Sequence, residues 1–369
     1  MTEESGIALL GRRDAPTDAV EDYCLYLGEA LRPLGFKMQI QRVNWFEQGW
    51  SSALLELRRQ TENWDGRWAL LQYTALAWSK RGFPLGFLRV LRELRKRKAR
   101  VAVVFHDAGP HRGARVIDKL RKLVQTYVMN DALRICELGV FTVSVDRLTW
   151  VKRRAARTVA IPVGANLPEP EKLWKQRGSE PSQIPSIAVY GITSGESAVR
   201  EAALIAQALE PAANQLGRLR LIAMGRNSNV AEDILRRSMK GLPVEICVTG
   251  ILPAAEIVSH MAGCDLMLDV RGEISTRRGS AIAGIACGLP IVGFNGPDTA
   301  FPITEAGIVF AQEFNAKELG EGVLKVLSDR DYRAVLAEKS RRAQEKYFSW
   351  PAIAEQYAMA LRATDSGKP

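Results

Sequence analysis

Two adjacent arginines ahead of a run of small residues are the first place where this chain could do chemistry. In GEISTRRGSAIAGIACGLPIVGFNG (Gly272–Gly296), Arg277 and Arg278 precede Gly279 and Ser280. The stretch from Gly279 to Cys287 reads as a helix stopped by Gly288 and Pro290. A helix start leaves N–H groups free for an anion, and guanidinium groups suit phosphate oxygens. Ser275, Thr276 and Ser280 are candidate caps. Basic residues at a helix start oppose its macrodipole, which favours a phosphate-bearing ligand over the plainer reading, a capped surface helix with two solvated arginines. Gly279, Ala283, Gly284 and Ala286 leave little bulk, so this helix can approach a sheet or a ligand closely. In YGITSGES, Gly191, Thr193 and Ser194 stand at another expected helix start, with hydroxyl and backbone donors but no charge.

A second set lies in the first half. VAVVFHDAGPHRG puts His106 and Asp107 directly after an apolar run. The near-neutral pKa of histidine permits proton transfer, with the neighbouring carboxylate to orient it. The plainer reading makes His106 a structural hydrogen-bonder and His111 an ordinary loop residue; a metal held by His106, Asp107 and His111 is disfavoured by their loop spacing. In GRRDAPTDAV, residues Arg12, Arg13, Asp14 and Asp18 follow the first apolar run, where they would read a charged ligand while Thr17 or Asp18 caps the next helix.

The elements that must position these residues alternate between short apolar runs and amphipathic stretches, the pattern of parallel sheets flanked by helices. The runs are Gly6–Leu10, Lys37–Val43, Trp68–Tyr73, Val101–Phe105, Val140–Val143 and Val159–Val163, then Ser186–Tyr190, Arg218–Met224, Val244–Val248, Leu266–Val270 and Pro290–Phe294. Between the two series, residues 169–185 hold Pro170, Pro181 and Pro185 in a polar setting and read as a linker. The expected organisation is two doubly wound α/β domains, 1–168 and 186–345, with a terminal helix and tail over 346–369. Ligands of such sheets sit beyond the carboxyl ends of the strands, which places the expected site in the cleft between two facing domains.

The charge is uneven. Of 51 Lys+Arg and 41 Asp+Glu, the first 170 residues hold 28 basic and 18 acidic, so the whole excess of +10 lies there. Phe87–Arg100 carries seven basic residues around an apolar face, Lys152, Arg153, Arg154 and Arg157 form another cluster, and five of the eight tryptophans fall between Trp45 and Trp78. Trp beside basic residues suits an anionic membrane interface; the alternative is that the Trp residues are core. The five dispersed cysteines suggest a reduced cytosolic protein without structural metal. The acidic start lacks the character of a signal peptide, and no apolar run approaches the ~20 residues needed to span a bilayer.

The order of ACGLPIV after a small-residue helix, preceded by TGILPAAEIVSHMAGCDLML and followed by PITEAGIVF and YFSWPAIAEQYAMAL, resembles the carboxyl-terminal domain of GT-B glycosyltransferases, specifically retaining family four. GIALLGRRDAPTDAVEDYCLYLGEALRPLGF resembles that family's first strand, loop and helix, so the likeness spans essentially the whole chain. It implies two Rossmann-like domains, the first for the acceptor and the second for the donor, with a C-terminal helix returning to the first. It also implies metal-independent transfer from a UDP- or GDP-sugar to a lipid-linked or saccharide acceptor, in surface polysaccharide or glycolipid assembly. Nucleoside contacts would fall at Ile251 and, for the ribose, at Glu305 or Glu273. Both glutamates of the family's Glu-x7-Glu motif are replaced, by Ser275 and Ala283, and the usual cations after Tyr190 are absent. Arg277 and Arg278 are expected to supply that charge, with Gly279, Ser280, Thr193 and Ser194 as further diphosphate contacts and His106 and Asp107 as the catalytic pair.

No cofactor is expected. The expected location is the cytoplasm, at the inner face of a membrane. The missing glutamates leave a non-catalytic nucleotide-sugar or glycan-binding relative as an alternative. A nucleic-acid-binding protein is a second alternative; with no recognisable nucleic-acid module, no such partner is expected. G-x-G-x-x-G and the P-loop are both lacking.

Overall fold

The computed structural model describes residues 4–111, 113–151, 157–168 and 184–365. They form two compact units, one running up to Pro162 and taking in the chain from Trp350 onward, the other Val163–Ser349. Residues 169–183 of the expected linker and 152–156 of the basic cluster lie outside the described residues.

In the first unit, β1 (Glu4–Leu10), α1 (Ala19–Leu31), β2 (Phe36–Arg42), α2 (Trp45–Gln60), β3 (Trp68–Tyr73), α3 (Leu85–Lys96), β4 (Arg100–Phe105), α4 (Val116–Ile135), β5 (Leu138–Phe141) and β6 (Arg157–Ala160) follow in order. The sheet is parallel throughout, in the order β2-β1-β3-β4-β5-β6. Its inner strands are covered on both faces, which is why WALLQY and VAVVF are buried at nearly every position and do not alternate apolar with polar, Gln72 being the one polar residue among them. Leu9, Leu71, Val103 and Phe105 point into one core, walled by α3 and α4 through Phe87, Leu91, Val128 and Leu133.

That core also takes Trp45, Trp64 and Trp78, and Trp68 is buried as well. Trp45 stacks on Trp50 with centroids 5.1 Å apart, and the Trp45 and Trp78 indole N–H groups donate to Ala77 O and Gln72 O. The aromatic part of the membrane expectation therefore fails: these rings pack inside and pin the loop after β3. The apolar face of α3, with Phe87, Val90, Leu91 and Leu94, is buried too, leaving its charged side and the first-turn Leu85 to solvent.

In the second unit come β7 (Ser186–Tyr190), α5 (Glu196–Leu216), β8 (Leu219–Met224), α6 (Ser228–Ser238), β9 (Val244–Gly250), α7 (Ala254–Ala262), β10 (Leu266–Glu273), α8 (Gly279–Ala286), β11 (Ile291–Phe294), β12 (Ile308–Ala311), α9 (Ala316–Ser328) and α10 (Arg330–Ala343). The strand order is β12-β11-β10-β7-β8-β9, again all parallel. The edge strand β12 is an addition to the expected series. Its four residues, IVFA, are too short to stand out from the loop before them.

Gly284 of α8 sits where a Cβ would meet Met267 Sδ at 2.6 Å, so the small residues serve close approach of this helix to the sheet. The last helix, α11 (Trp350–Asp365), belongs to the first unit. Trp350 stacks on Tyr26 of α1 at 5.5 Å, the Tyr23 and Tyr357 hydroxyls are hydrogen-bonded at 2.8 Å, and Arg362 donates to Leu34 O at 2.6 Å.

Candidate functional site

Each sheet has one switch point, where successive strands are laid down in opposite directions, and loops diverging there leave a crevice at the carboxyl ends. In the first unit it lies between β1 and β3, in the second between β7 and β10.

The first crevice is a cavity of about 630 Å3. The loop after β1 contributes Arg12, Asp14 and Asp18, the loop after β3 contributes Thr74–Gly82, and Asp107, His111, Arg121 and Gln125 close the far side. Asp18 caps α1, accepting from Val20 N and Glu21 N, and its other oxygen accepts from Arg42 at 2.7 Å. Arg42 also donates to Gly11 O at 2.9 Å, so one buried ion pair anchors the loop to β2. Asp18 is thus a cap and a cavity wall together. Arg13 turns away to pair with Glu21 at 3.3 Å. Arg12 and Lys80 both stand over the Phe46 ring, at 5.0 and 4.3 Å, and with Arg81 have no carboxylate partner among the described residues. Three unpaired cations make this cavity suited to an anion.

Gly11 makes the close approach of these loops workable. A Cβ there would run into the Ala77 carbonyl, which accepts the Arg12 N–H at 2.8 Å. Gly11→Ala is expected to cost about 2 kcal/mol through this overpacking. At ~2–4 °C per kcal/mol for a unit of this size, the thermal midpoint should fall by roughly 5 °C. An unchanged midpoint by calorimetry would show that the loop yields freely.

His106 lies behind the cavity, half-buried. Gln72 donates to Leu70 O at 3.2 Å, so its Oε1 is left to accept from His106 Nε2 at 2.8 Å, which leaves Nδ1 unprotonated. The Tyr23 ring packs against the imidazole at 5.1 Å, 85° between planes. Burial pushes the His106 pKa down to about 4, with Asp18 opposing. The expected near-neutral titration therefore does not hold. Asp107 Oδ2 accepts from Ala75 N at 2.7 Å, fastening the loop after β3 to β4, while the His106 Nε2 partner is Gln72 instead of a carboxylate. His111 donates its backbone N–H to Gln125 and sets Nε2 3.2 Å from Asp118.

The second crevice is built by three strand ends, those of β7, β8 and β9, stitched together by four hydrogen bonds. Gly191 N donates to Met224 O, Ile192 N to Arg226 O, Asn227 Nδ2 to Ile192 O, and Gly225 N to Gly250 O. This brings Gly191–Gly195, the loop after β8 and exposed Ile251 to one end of the sheet. Thr193 N donates to Glu201 Oε2 at 2.8 Å, so that N–H is already used, while Thr193 Oγ1 is buried without a hydrogen-bond partner. Ser194 is exposed.

β10 extends three residues past the expected Val270, and that extension carries a cation the sequence reading passed over. Arg271 Nη1 lies 2.6 Å from where a Gly191 Cβ would stand, so Gly191, at φ +80°, leaves room for the guanidinium. Asp269, buried beneath it, accepts from Arg271 N at 3.1 Å and from Ser280 Oγ at 2.9 Å. Ser280 thus binds a strand carboxylate, and Arg278 stands at the N-cap of α8 with no side-chain cap. Burial raises the Glu201 pKa, which the Thr193 N–H and the Arg271 and Arg278 charges oppose. Arg278 donates to Arg271 O at 2.8 Å and Glu273 O at 3.2 Å, folding the β10 end over α8. Arg277, more exposed, lies 3.5 Å from Asp298, whose N–H donates to Glu273 Oε2 at 3.1 Å. Gly279 opens to free space. Glu305 is exposed at the end of the short turn Ile303–Glu305, with Lys346 feeling its charge.

Thr193, Arg278 and Ser280 therefore meet around Asp269, Glu201 and Arg271, three residues absent from the sequence-derived set. Arg277 and Glu273 share Asp298.

No protein-family model and no curated protein matches the chain, whereas solved structures do. Sucrose-phosphate synthase from Thermosynechococcus elongatus is 15% identical, over 99% of this chain and 100% of its own, at a TM-score of 0.69. HepE of Anabaena, solved with UDP and glucose, is 14% identical over 98% and 100%, at 0.66. The fold is that of the GT-B glycosyltransferases. A putative UDP-N-acetylglucosamine 2-epimerase from Listeria monocytogenes is also similar, at 10% identity and 0.62 over 100% and 98%. The fold is thus shared by more than one kind of nucleotide-sugar enzyme.

Among the described residues, no helix is long and apolar enough to cross a membrane.

Proposed function

We propose that this protein is a glycosyltransferase. It moves a sugar from a nucleoside diphosphate sugar, UDP- or GDP-linked, to a lipid-linked or saccharide acceptor in surface polysaccharide or glycolipid assembly. The observation that carries this reading is the second unit's switch point, where Arg271, Arg277 and Arg278 gather at the loop after β7 and the open start of α8. Solved relatives of this fold hold UDP and UDP-glucose. In this role the arginines, Ser194, the Thr193 hydroxyl and the α8 N–H groups take the diphosphate and stabilise it as it departs, so no metal is needed for that charge. Ile251 meets the base, and Glu273 or Glu305 the ribose. Retention of anomeric configuration follows from the family resemblance.

The acceptor enters the first unit's cavity, where Arg12, Lys80 and Arg81 favour an anionic group and Asp107 and Asp18 shape the walls. His106, neutral at working pH, holds the cavity floor through Gln72 and acts there as a positioning residue. The basic first unit meets an anionic membrane at the cytoplasmic face.

Titration calorimetry with UDP, GDP, ADP and dTDP, followed by NMR of the matching sugar nucleotide, tests this. One diphosphate should bind, and its sugar should be released with the donor's anomeric configuration retained. Binding without turnover indicates a non-catalytic relative, and inversion at C2 of the sugar indicates an epimerase. No nucleotide binding, with salt-sensitive retention of nucleic acid on filters, overturns the reading.

A further inference from the structure

Most apolar residues of the first unit are buried, but one helix carries a ridge of them into solvent. On α4, Val116 is 84% exposed, Leu120 49%, Leu123 69% and Tyr127 53%, with Ile117 at 41% beside them. Steps of four, three and four residues keep the four on one line, about 16 Å long. The opposite face of α4 is the buried one, with Gln125, Val128, Met129 and Ala132. Single exposed apolar side chains are ordinary, whereas a continuous ridge marks a surface made for contact.

We propose that α4 docks the protein on an anionic lipid bilayer, its ridge of Val116, Leu120, Leu123 and Tyr127 entering the interface. The flanks argue for lipid as the occupant. Lys119 and Lys122 are exposed along one side of the ridge with no carboxylate partner among the described residues, and exposed Arg115 stands at its start. An apolar ridge bordered by cations is the chemistry of an interfacial helix, and the unit that carries it holds the chain's entire excess of positive charge. The basic helix α3 does not serve, because its apolar face is spent in the core. α4 also turns Arg121 and Gln125 into the cavity. Docking would hold that cavity wall about one helix diameter, roughly 10–12 Å, from the lipid surface, within reach of a lipid-linked acceptor's head group.

The inference deepens the reading of a membrane contact and does not depend on the donor chemistry. The test is co-sedimentation of the full chain with vesicles of phosphatidylcholine alone or with 30% phosphatidylglycerol, a composition set by the experiment. Leu120→Asp/Leu123→Asp and Lys119→Glu/Lys122→Glu variants are compared with wild type, their folding checked by thermal melts. Wild type should bind the anionic vesicles at least about tenfold more tightly than neutral ones, and either double variant should lose at least about tenfold. Undiminished binding by the folded Asp variant overturns the proposal. So does a dimer in solution that this variant dissolves, which would make a second copy the occupant. Nucleotide affinity measured without vesicles should be the same in all three proteins, so failure of the donor reading shows there and leaves the docking result standing.

Discussion

Replacing Arg271 and Arg277 together by glutamine should weaken nucleoside diphosphate binding by roughly 100-fold or more, with little change in thermal stability. Each charge-assisted hydrogen bond to a phosphate oxygen is worth about 1.5–3 kcal/mol, so losing two exceeds the ~2.7 kcal/mol that 100-fold requires. The pair is chosen on structural grounds. Arg271 is exposed at the mouth of the Gly191 loop, and the ion-pair partner of Arg277 among the described residues is Asp298, at 3.5 Å. Arg278 is different: its donors close the β10 end onto Arg271 O and Glu273 O, so its removal would mix binding with local unfolding. Titration calorimetry of the diphosphate against the bare nucleoside isolates the phosphate contribution. Affinity for the nucleoside should hold while that for the diphosphate collapses. Equal affinity of wild type and variant for the diphosphate would remove these arginines from the site.

The framework was readable because parallel strands buried on both faces announce themselves. WALLQY, VAVVF and SIAVY are almost wholly apolar runs, broken only by Gln72 and Ser186, that end where the loops begin. Less legible were residues whose importance depends on where the sheet places them. Asp269 reads as one acid inside LMLDV, yet parallel alignment puts it beneath the start of α8, where Ser280 and the Arg271 N–H converge on it. Arg271 hid because the apolar run stops at Val270 while the strand continues to Glu273. Glu201 lies in a helix with no local signal, and only the packing of α5 brings it under Thr193.

The surface was misread for a related reason. Tryptophans near lysines and arginines suggested an interface, but such rings are also what a large α/β core needs, and the Trp45 and Trp78 indole N–H groups found carbonyls inside. The α4 ridge was concealed by the opposite effect. Apolar residues on two faces of one helix blur its amphipathic pattern, and sequence alone does not say which face is covered.

Lowering the pH from 6.5 to 4 should cost the native state about 3 kcal/mol through His106 alone. Burial holds its pKa near 4, against 6.5 for the free side chain. Above 6.5 neither state binds the proton, and the contribution is fully present. Between 6.5 and 4 the unfolded chain takes up a proton that the folded chain refuses, so stability falls as the pH falls. Below 4 both are protonated and the loss is complete. A difference of about 2.5 units at 1.36 kcal/mol each sets the size. Carboxylates also titrate in this window, so the measurement is the difference between wild type and His106→Gln by urea unfolding at a series of pH values. Wild type should lose about 3 kcal/mol more than the variant across the window, and parallel curves would show that the imidazole is solvated in the native state. The same environment limits its chemistry. A neutral imidazole whose Nε2 proton is held by Gln72 offers Nδ1 as an acceptor throughout the physiological range. The pH profile of the proposed transfer activity should therefore show no limb near pH 6.5 from this residue. A limb there that disappears in the His106→Gln variant would restore it as a proton-transfer group.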